Sequence, residues 1–252
     1  MRKTIVRVLA VAMFLGVGQF AFSAEPDQSK ATGSMTAAQL EASGDEARAT
    51  KDYQKALEYF QAALHRDSKN PALYNKVGLT FLRMNNLSSA RFNFEKAIKR
   101  NSKYADAINN LGAVLYMERN YGAATRQFKK AIALDETRPS FHVNLGATWF
   151  AQNKPDRALA EYARALELNP DALTSSNSGV AAQIASPEER ARYAYMLAKI
   201  FAQRGDSDRC IQNLRKAKEE GYRDLANIYK DAEFAGLRND PRLAEIAPAP
   251  NK

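Results

Sequence analysis

Cysteine, histidine and tryptophan are scarce in this 252-residue chain, which has one cysteine (Cys210), two histidines (His65 and His142) and one tryptophan. A single cysteine excludes an intramolecular disulfide. None stands after the apolar N-terminal segment to accept a lipid, so the fold must be held by packing. Neither histidine has a Cys, Asp or Glu at ligand spacing beyond what the periodicity described below explains, so neither a metal nor a cofactor is expected. Glycine-rich phosphate loops are missing too. The acidic pairs Glu188-Glu189 and Glu219-Glu220 read as helix-start or solvated residues, not as an acid–base pair. The chain is therefore not expected to be an enzyme.

Two further absences concern partners. The net charge is +9, but it is spread along the sequence and forms no dense Lys/Arg block. Nucleic acid is accordingly not an expected partner. The longest apolar run, Val8 to Phe22, falls short of the ~20 residues a membrane-spanning helix needs. It follows Arg2, Lys3 and Arg7 and leads into Ala21-Phe22-Ser23-Ala24, the layout of a cleavable export signal. Residues 1–24 are read as that signal, with an uncleaved N-terminal anchor as the alternative, and residues 25–35 as a disordered linker. No membrane span is expected once the signal is removed, and the location is periplasmic or secreted.

The rest of the sequence is organised by a period of 34. Gly44, Gly78, Gly112 and Gly146 keep that interval, as do Ala56, Ala90, Ala124 and Ala158. An aromatic follows each glycine by sixteen residues (Phe60, Phe94, Phe128, Tyr162), and Ala63, Ala97, Ala131 and Ala165 close the units. A fixed period of this length marks stacked repeats. With Ala37 as position 1, the units run 37–70, 71–104, 105–138 and 139–172. Each splits into two stretches with apolar residues at helical spacing, as in Ile108, Leu111, Leu115 and then Tyr121, Ala124, Phe128, Ala131. Gly112 and Ala124 are expected to supply clearance where the two helices cross. Thr36-Ala-Ala-Gln39 is a capping-box pattern, and Pro71 and Pro139 fit first helical positions.

After Ala172 the register breaks. Residues 173–186 read as a linker, and Ser186-Pro187-Glu188-Glu189 is a strong helix start. A fifth unit follows over 187–224, with Ala198 in the glycine slot after an 18-residue insertion. Cys210 falls in the close-packing alanine slot, which favours an inert thiol. Residues 225–252 are read as a C-terminal cap and a frayed tail.

Leu111-Gly112-Leu115-Tyr121-Ala124-Phe128-Ala131, and Leu145-Gly146-Trp149-Ala158-Tyr162-Ala165-Pro170 in the next unit, resemble the tetratricopeptide repeat (TPR) signature. The resemblance covers 37–172. It implies an all-α, right-handed α-solenoid of helix-turn-helix repeats, four in register plus a degenerate fifth, with a C-terminal capping helix. Departures are Ser43 in an apolar slot and Pro155 in an aromatic one.

The resemblance also implies that positions 2, 5, 6, 9, 12 and 13 of each first helix line a concave groove. That places Asn75, Asn109, Asn110 and Asn144 there as a ladder of exposed amides able to bond an extended peptide. Leu82, Tyr116 and Phe150, with Leu79 and Met117 beside them, form an apolar stripe of the kind that marks a partner site. The chain's own C-terminal helix or residues 25–35 are alternative covers for that stripe. Lys76 and Arg83 are candidate contacts for a carboxylate. The Lys/Asn pattern of chaperone-binding TPR clamps is not reproduced, because Glu41 and Asp45 occupy two of its slots. The expected function is a protein–protein interaction scaffold for a peptide or protein segment of the bacterial periplasm. A homodimer, or a self-associating or membrane-tethered assembly factor of the cell envelope, is the alternative.

Overall fold

Helix follows helix from Ala37 onward in a computed structural model that describes residues 33–173 and 186–247. Residues 1–24, read above as an export signal, most of the 25–35 and 173–186 stretches read as linkers, and the last five residues lie outside the described residues. The chain divides at Met35/Thr36, and only residues 33–35 of its first unit are described. In the second unit the first four repeats supply α1 (Ala37–Ala49), α2 (Tyr53–Arg66), α3 (Pro71–Arg83), α4 (Leu87–Arg100), α5 (Ala105–Met117), α6 (Tyr121–Leu134), α7 (Pro139–Ala151) and α8 (Pro155–Leu168). The fifth supplies α9 (Pro187–Gln203) and α10 (Ser207–Glu219). Two 3-10 turns, Leu225–Tyr229 and Ala232–Leu237, and a short α11 (Pro241–Ile246) complete it.

Local chemistry sets the helix ends. Thr36 and Ser186 each close a reciprocal capping box, with Gln39 and Glu189 respectively. Asp52, Asn86, Asn120 and Asp206 cap the second helices of their units by accepting from the N–H three residues on. Each turn between paired helices passes through one residue of positive φ: Lys51, Asn85, Arg119, Asn153 and, in the fifth unit, Gly205. The N–H after that residue bonds a carbonyl five back, as Asn120 does to Leu115 at 2.8 Å. Asp67, Asn101, Asp135 and Asn169 end the second helices, their side chains accepting from the N–H two residues on.

Ala56, Ala90, Ala124 and Ala158 have no exposed surface, and the aromatic at the sixteenth place after each glycine is equally buried. The glycines supply the expected clearance, and the aromatic of the second helix takes it up. A Cβ on Gly112 would meet Phe128 first, at 2.7 Å from Cε1, and the other three glycines face their own aromatics in the same way. Glycine makes room for the flat ring of the second helix.

Units stack through positions 3, 7 and 10 of each first helix. Leu73, Ala107 and Phe141 fill position 3; Val77, Leu111 and Leu145 fill position 7; Thr80, Val114 and Thr148 fill position 10. All are buried. Thr80 and Thr148 tolerate burial because each hydroxyl donates to the carbonyl four residues back. In α1 the same slots hold Gln39, Ser43 and Glu46, which are exposed or half-buried. Ser43 therefore belongs to a polar face at the N-terminal end of the described repeats, of the kind terminal repeats carry.

At the other end, Leu243 and Ile246 of α11 and Phe234 and Leu237 of the second turn are buried over α9 and α10. Arg242 ties α11 to Asp208 of α10 at 2.8 Å and to Asp240 at 2.7 Å. The expected capping helix is thus two 3-10 turns and one short helix.

Candidate functional site

First helices touch one another across units, and their polar side chains do the joining. Lys76 of α3 bonds Glu41 of α1 at 2.6 Å and also Asp45. Asn110 of α5 donates to Asn75 of α3 at 3.0 Å, and Asn144 of α7 donates to Asn109 of α5 at 3.0 Å. Asn109 in turn donates to Asn110 at 3.3 Å, and Asn75 reaches the Tyr104 hydroxyl at 3.5 Å. A layer drawn together in this way is the inner, concave layer of the array, and α2, α4, α6 and α8 form the outer one.

This geometry corrects the reading of the asparagines. Asn75, Asn109 and Asn144 are 5%, 7% and 3% exposed, and Asn110 is half-buried. Their amides hold unit to unit because neighbouring first helices approach closely enough for adjacent rungs to bond each other. They brace the groove and do not present free amides to a peptide.

Lys76 needs the same correction. Burial alone would lower its pKa, but hydrogen bonds and charge from Asp45 and Glu41 outweigh that and raise it. Its ammonium already has two carboxylates. Arg83, at the end of α3, is exposed and has no ion-pair partner among the described residues.

The apolar stripe divides into two parts. Leu79, Leu82 and Met117 remain half-buried on the inner face, the two leucines packed against the core. Tyr116 is 9% exposed and lies 5.3 Å from the Tyr121 ring; burial, then the nearby Tyr121 and Glu189, pushes its hydroxyl up to about 12. Phe150 is half-buried, with the Tyr193 ring of α9 edge-on at 5.6 Å and the Arg192 guanidinium over its face. The fifth unit's first helix, not the cap helix, therefore closes the far end of the stripe.

Residues that the sequence left unread complete that end. Arg192, Tyr195, Met196 and Lys199 stand at the groove positions of the fifth unit. The 3-10 segment folds over two of them. Asp231 accepts from the Tyr195 hydroxyl at 2.9 Å and pairs with Lys199 at 2.9 Å, while Tyr222 stacks on Tyr195 at 4.2 Å. A cleft of about 380 Å3 remains beside them, its lining including Phe150, Met196, Tyr222, Arg192, Lys199 and Asp231. Placing Ala198 in the glycine slot fixes this register, so these positions were readable; the fold-back of 225–237 was not.

Other polar candidates have structural partners. His142 is buried, its Nδ1 2.8 Å from Glu161 and its Nε2 3.3 Å from the Glu136 carbonyl. Cys210 is buried, and burial, then Asp206 and Asp240, pushes its thiol up to about 12. Among the described residues no group of three or more His, Cys, Asp or Glu could hold a metal ion, and no helix is long and apolar enough to cross a membrane.

Two family models described as tetratricopeptide repeat match the chain, one over 41–91 and 75–139 and the other over 139–172, together more than half its length. The chain belongs to the tetratricopeptide repeat family. No curated protein matches this TPR chain in sequence. Among solved structures it is similar to TTC0263, a thermophilic TPR protein in Thermus thermophilus, with a TM-score of 0.52 and 21% identity over 77% of this chain and 96% of that one. It is similar to YrrB, described as a TPR protein with an unusual peptide-binding site (TM-score 0.51, 19% identity, 80% and 96% covered). A MamA structure gives 0.51 at 19% identity, with 78% and 95% covered. At these identities the likeness is one of fold: a TPR solenoid of the kind that serves as a protein-interaction scaffold.

Proposed function

We propose that this TPR protein is a non-enzymatic scaffold that receives an extended peptide or protein segment along the inner face of α1, α3 and α5. The observation that carries the reading is the half-buried trio Leu79, Leu82 and Met117 with exposed Arg83 at its edge. A braced frame lies beneath it. The Asn75–Asn110–Asn109–Asn144 chain and the Lys76 ion pairs hold the groove in one shape, so little ordering is left to oppose binding. The trio offers apolar contact and Arg83 offers a cation to a backbone carbonyl or carboxylate. Tyr193 packs on Phe150 and the 3-10 segment covers Tyr195 and Lys199 at the fifth unit, so the ligand is placed over the first three units. The unusual peptide-binding site of YrrB supports peptide recognition as a use of this fold.

The basic, apolar and small-residue sequence of residues 1–24 supports work outside the bacterial cytoplasm, in the periplasm or beyond, after that segment is removed. N-terminal sequencing of the mature protein tests this. A mature chain that still begins at residue 1 makes the protein a membrane-tethered factor instead.

Peptides selected from a displayed random library against the full chain test the groove. The expected binders lose about tenfold affinity or more on Leu82→Glu or Met117→Glu and are unchanged on Phe92→Ser. Binders indifferent to the inner-face changes would sink the reading. So would a concentration-independent dimer by light scattering that Leu82→Glu dissociates, because the occupant would then be a second copy.

A further inference from the structure

On the outer layer, α4 and α6 carry a charge that their own surroundings leave unbalanced. Lys99 and Arg100 of α4 and Arg126, Lys129 and Lys130 of α6 are exposed, Lys96 is half-buried, and none has a carboxylate partner among the described residues. Three of them lie over rings instead: Lys96 over Phe92, Arg100 over Tyr74 and Lys129 over Trp149. Glu95 is the one acidic residue on either helix. The outer helices on either side differ: α2 sets Glu58 against Lys55 and Arg66, and α8 sets Asp156, Glu161 and Glu167 against Arg157 and Arg164. In α8 Arg164 pairs with Glu167, and in α10 Arg215 pairs with Glu245 of α11. The excess is therefore local to two helices that both pack against α5. No block of basic residues announces it in the sequence, because helical spacing and the 34-residue period assemble it only on folding.

A second observation falls on the same two helices. Phe92 is 57% exposed and Leu134 is 39% exposed, two of the three large apolar side chains exposed among the described residues. An exposed ring and an exposed aliphatic side chain amid unpaired ammonium and guanidinium groups suit one kind of surface. Basic groups meet anionic headgroups, while Phe92, Leu134 and the lysine stems enter the headgroup–acyl boundary. Nucleic acid fits less well, since Leu134 has no ring to stack on a base and this outer surface offers no channel for a strand.

We infer that the outer face of α4 and α6 docks on an anionic lipid surface. The groove faces the other way, so the bound protein holds its inner face toward the aqueous side. This surface does not depend on the peptide reading.

Co-sedimentation of the full chain with vesicles tests it, comparing pure phosphatidylcholine with vesicles also containing phosphatidylglycerol. Arg2, Lys3 and Arg7 of residues 1–24 also favour anionic vesicles, so the outer face is reported by the difference between the two charge variants. Anionic vesicles are expected to bind about tenfold more tightly, and the gain is expected to shrink as salt rises. The Lys129→Glu/Lys130→Glu variant loses the gain, and Arg223→Glu/Lys230→Glu, with the same change in net charge on the C-terminal segment, keeps it. In Phe92→Trp, the new indole's emission shifts to the blue on anionic vesicles alone. Unchanged thermal unfolding of each variant shows that the fold is kept. No difference between the two vesicle types, an equal loss in both charge variants, no blue shift, or tighter binding of an oligonucleotide that the α6 variant abolishes would each overturn the inference.

Discussion

A Cβ placed on Gly112 would stand 2.7 Å from Cε1 of Phe128, closer than real side chains approach. The same relation recurs as Gly44 with Phe60 at 2.5 Å, Gly78 with Phe94 at 2.6 Å and Gly146 with Tyr162 at 2.9 Å. Each ring is fully buried, so it cannot swing aside freely. Alanine at Gly112 gains about 1 kcal/mol of helix propensity but overpacks the crossing, which typically costs about 1–3 kcal/mol. Chemical denaturation should show Gly44→Ala as the most damaging of the four and Gly146→Ala as the least. Gly122→Ala, with nothing within 4 Å, should cost nothing. Equal effects at all five positions would mean that the glycines do not set the crossing.

The intra-unit turns predict a gain. Arg119 holds φ 59° and Lys51 holds φ 66°, a region in which a side chain costs about 1–2 kcal/mol. Glycine occupies the same turn position in the fifth unit, at Gly205 with φ 73°. Arg119→Gly should stabilise the array by up to about 1 kcal/mol, and Gly205→Ala should destabilise it by about the same amount. Thermal unfolding of the two variants checks the opposed signs.

The polar leading face of α1 predicts self-association when it is made apolar. Ser43→Leu with Glu46→Leu restores the residue type that the same slots hold in later units, as in Val77, Leu111 and Val114. Made apolar, that face should pair with its copy and raise the mass seen by light scattering with concentration. A variant that stays at the mass of the unaltered chain would show that the face is covered by other means.

Acid should loosen the fifth unit and the C-terminal cap before α5. The hydrogen bond from Arg242 holds Asp240 below the usual carboxylate range, and the hydrogen bond from Arg190 does the same for Glu220. Groups with depressed folded values contribute stability above their unfolded values, near 3.9 and 4.3, and that contribution is lost as pH falls through the folded ones. Amide exchange in α11 should therefore accelerate below about pH 4 while α5 stays protected, and Arg242→Gln should weaken the effect. Simultaneous acceleration in α5 and α11 would contradict it.

Much of this architecture was legible because a repeat states each constraint several times. Glycine, alanine and aromatic at fixed offsets located every helix pair, and Ala198 carried the register across the insertion. The site was less legible. Tetratricopeptide spacing puts Asn75, Asn109 and Asn144 on the inner layer, but spacing is silent on distance between neighbouring helices, and that distance turned the amides toward one another. Lys76 was read without its partners for the same reason, since Glu41 and Asp45 lie one repeat away. The closure of Phe150 by Tyr193 depends on how α9 seats after the insertion, which no period describes.

In the function proposed above, ligand binds the inner face at α3 and α5. A photo-crosslinking residue placed at Leu82 in the full chain, compared with one at Glu95 on the outer layer, tests it most directly. With a peptide selected for binding, a covalent adduct is expected from position 82, lost when unlabelled peptide competes, and none from position 95. Adducts from position 95 alone, or from position 82 only between two copies of the chain, would contradict it.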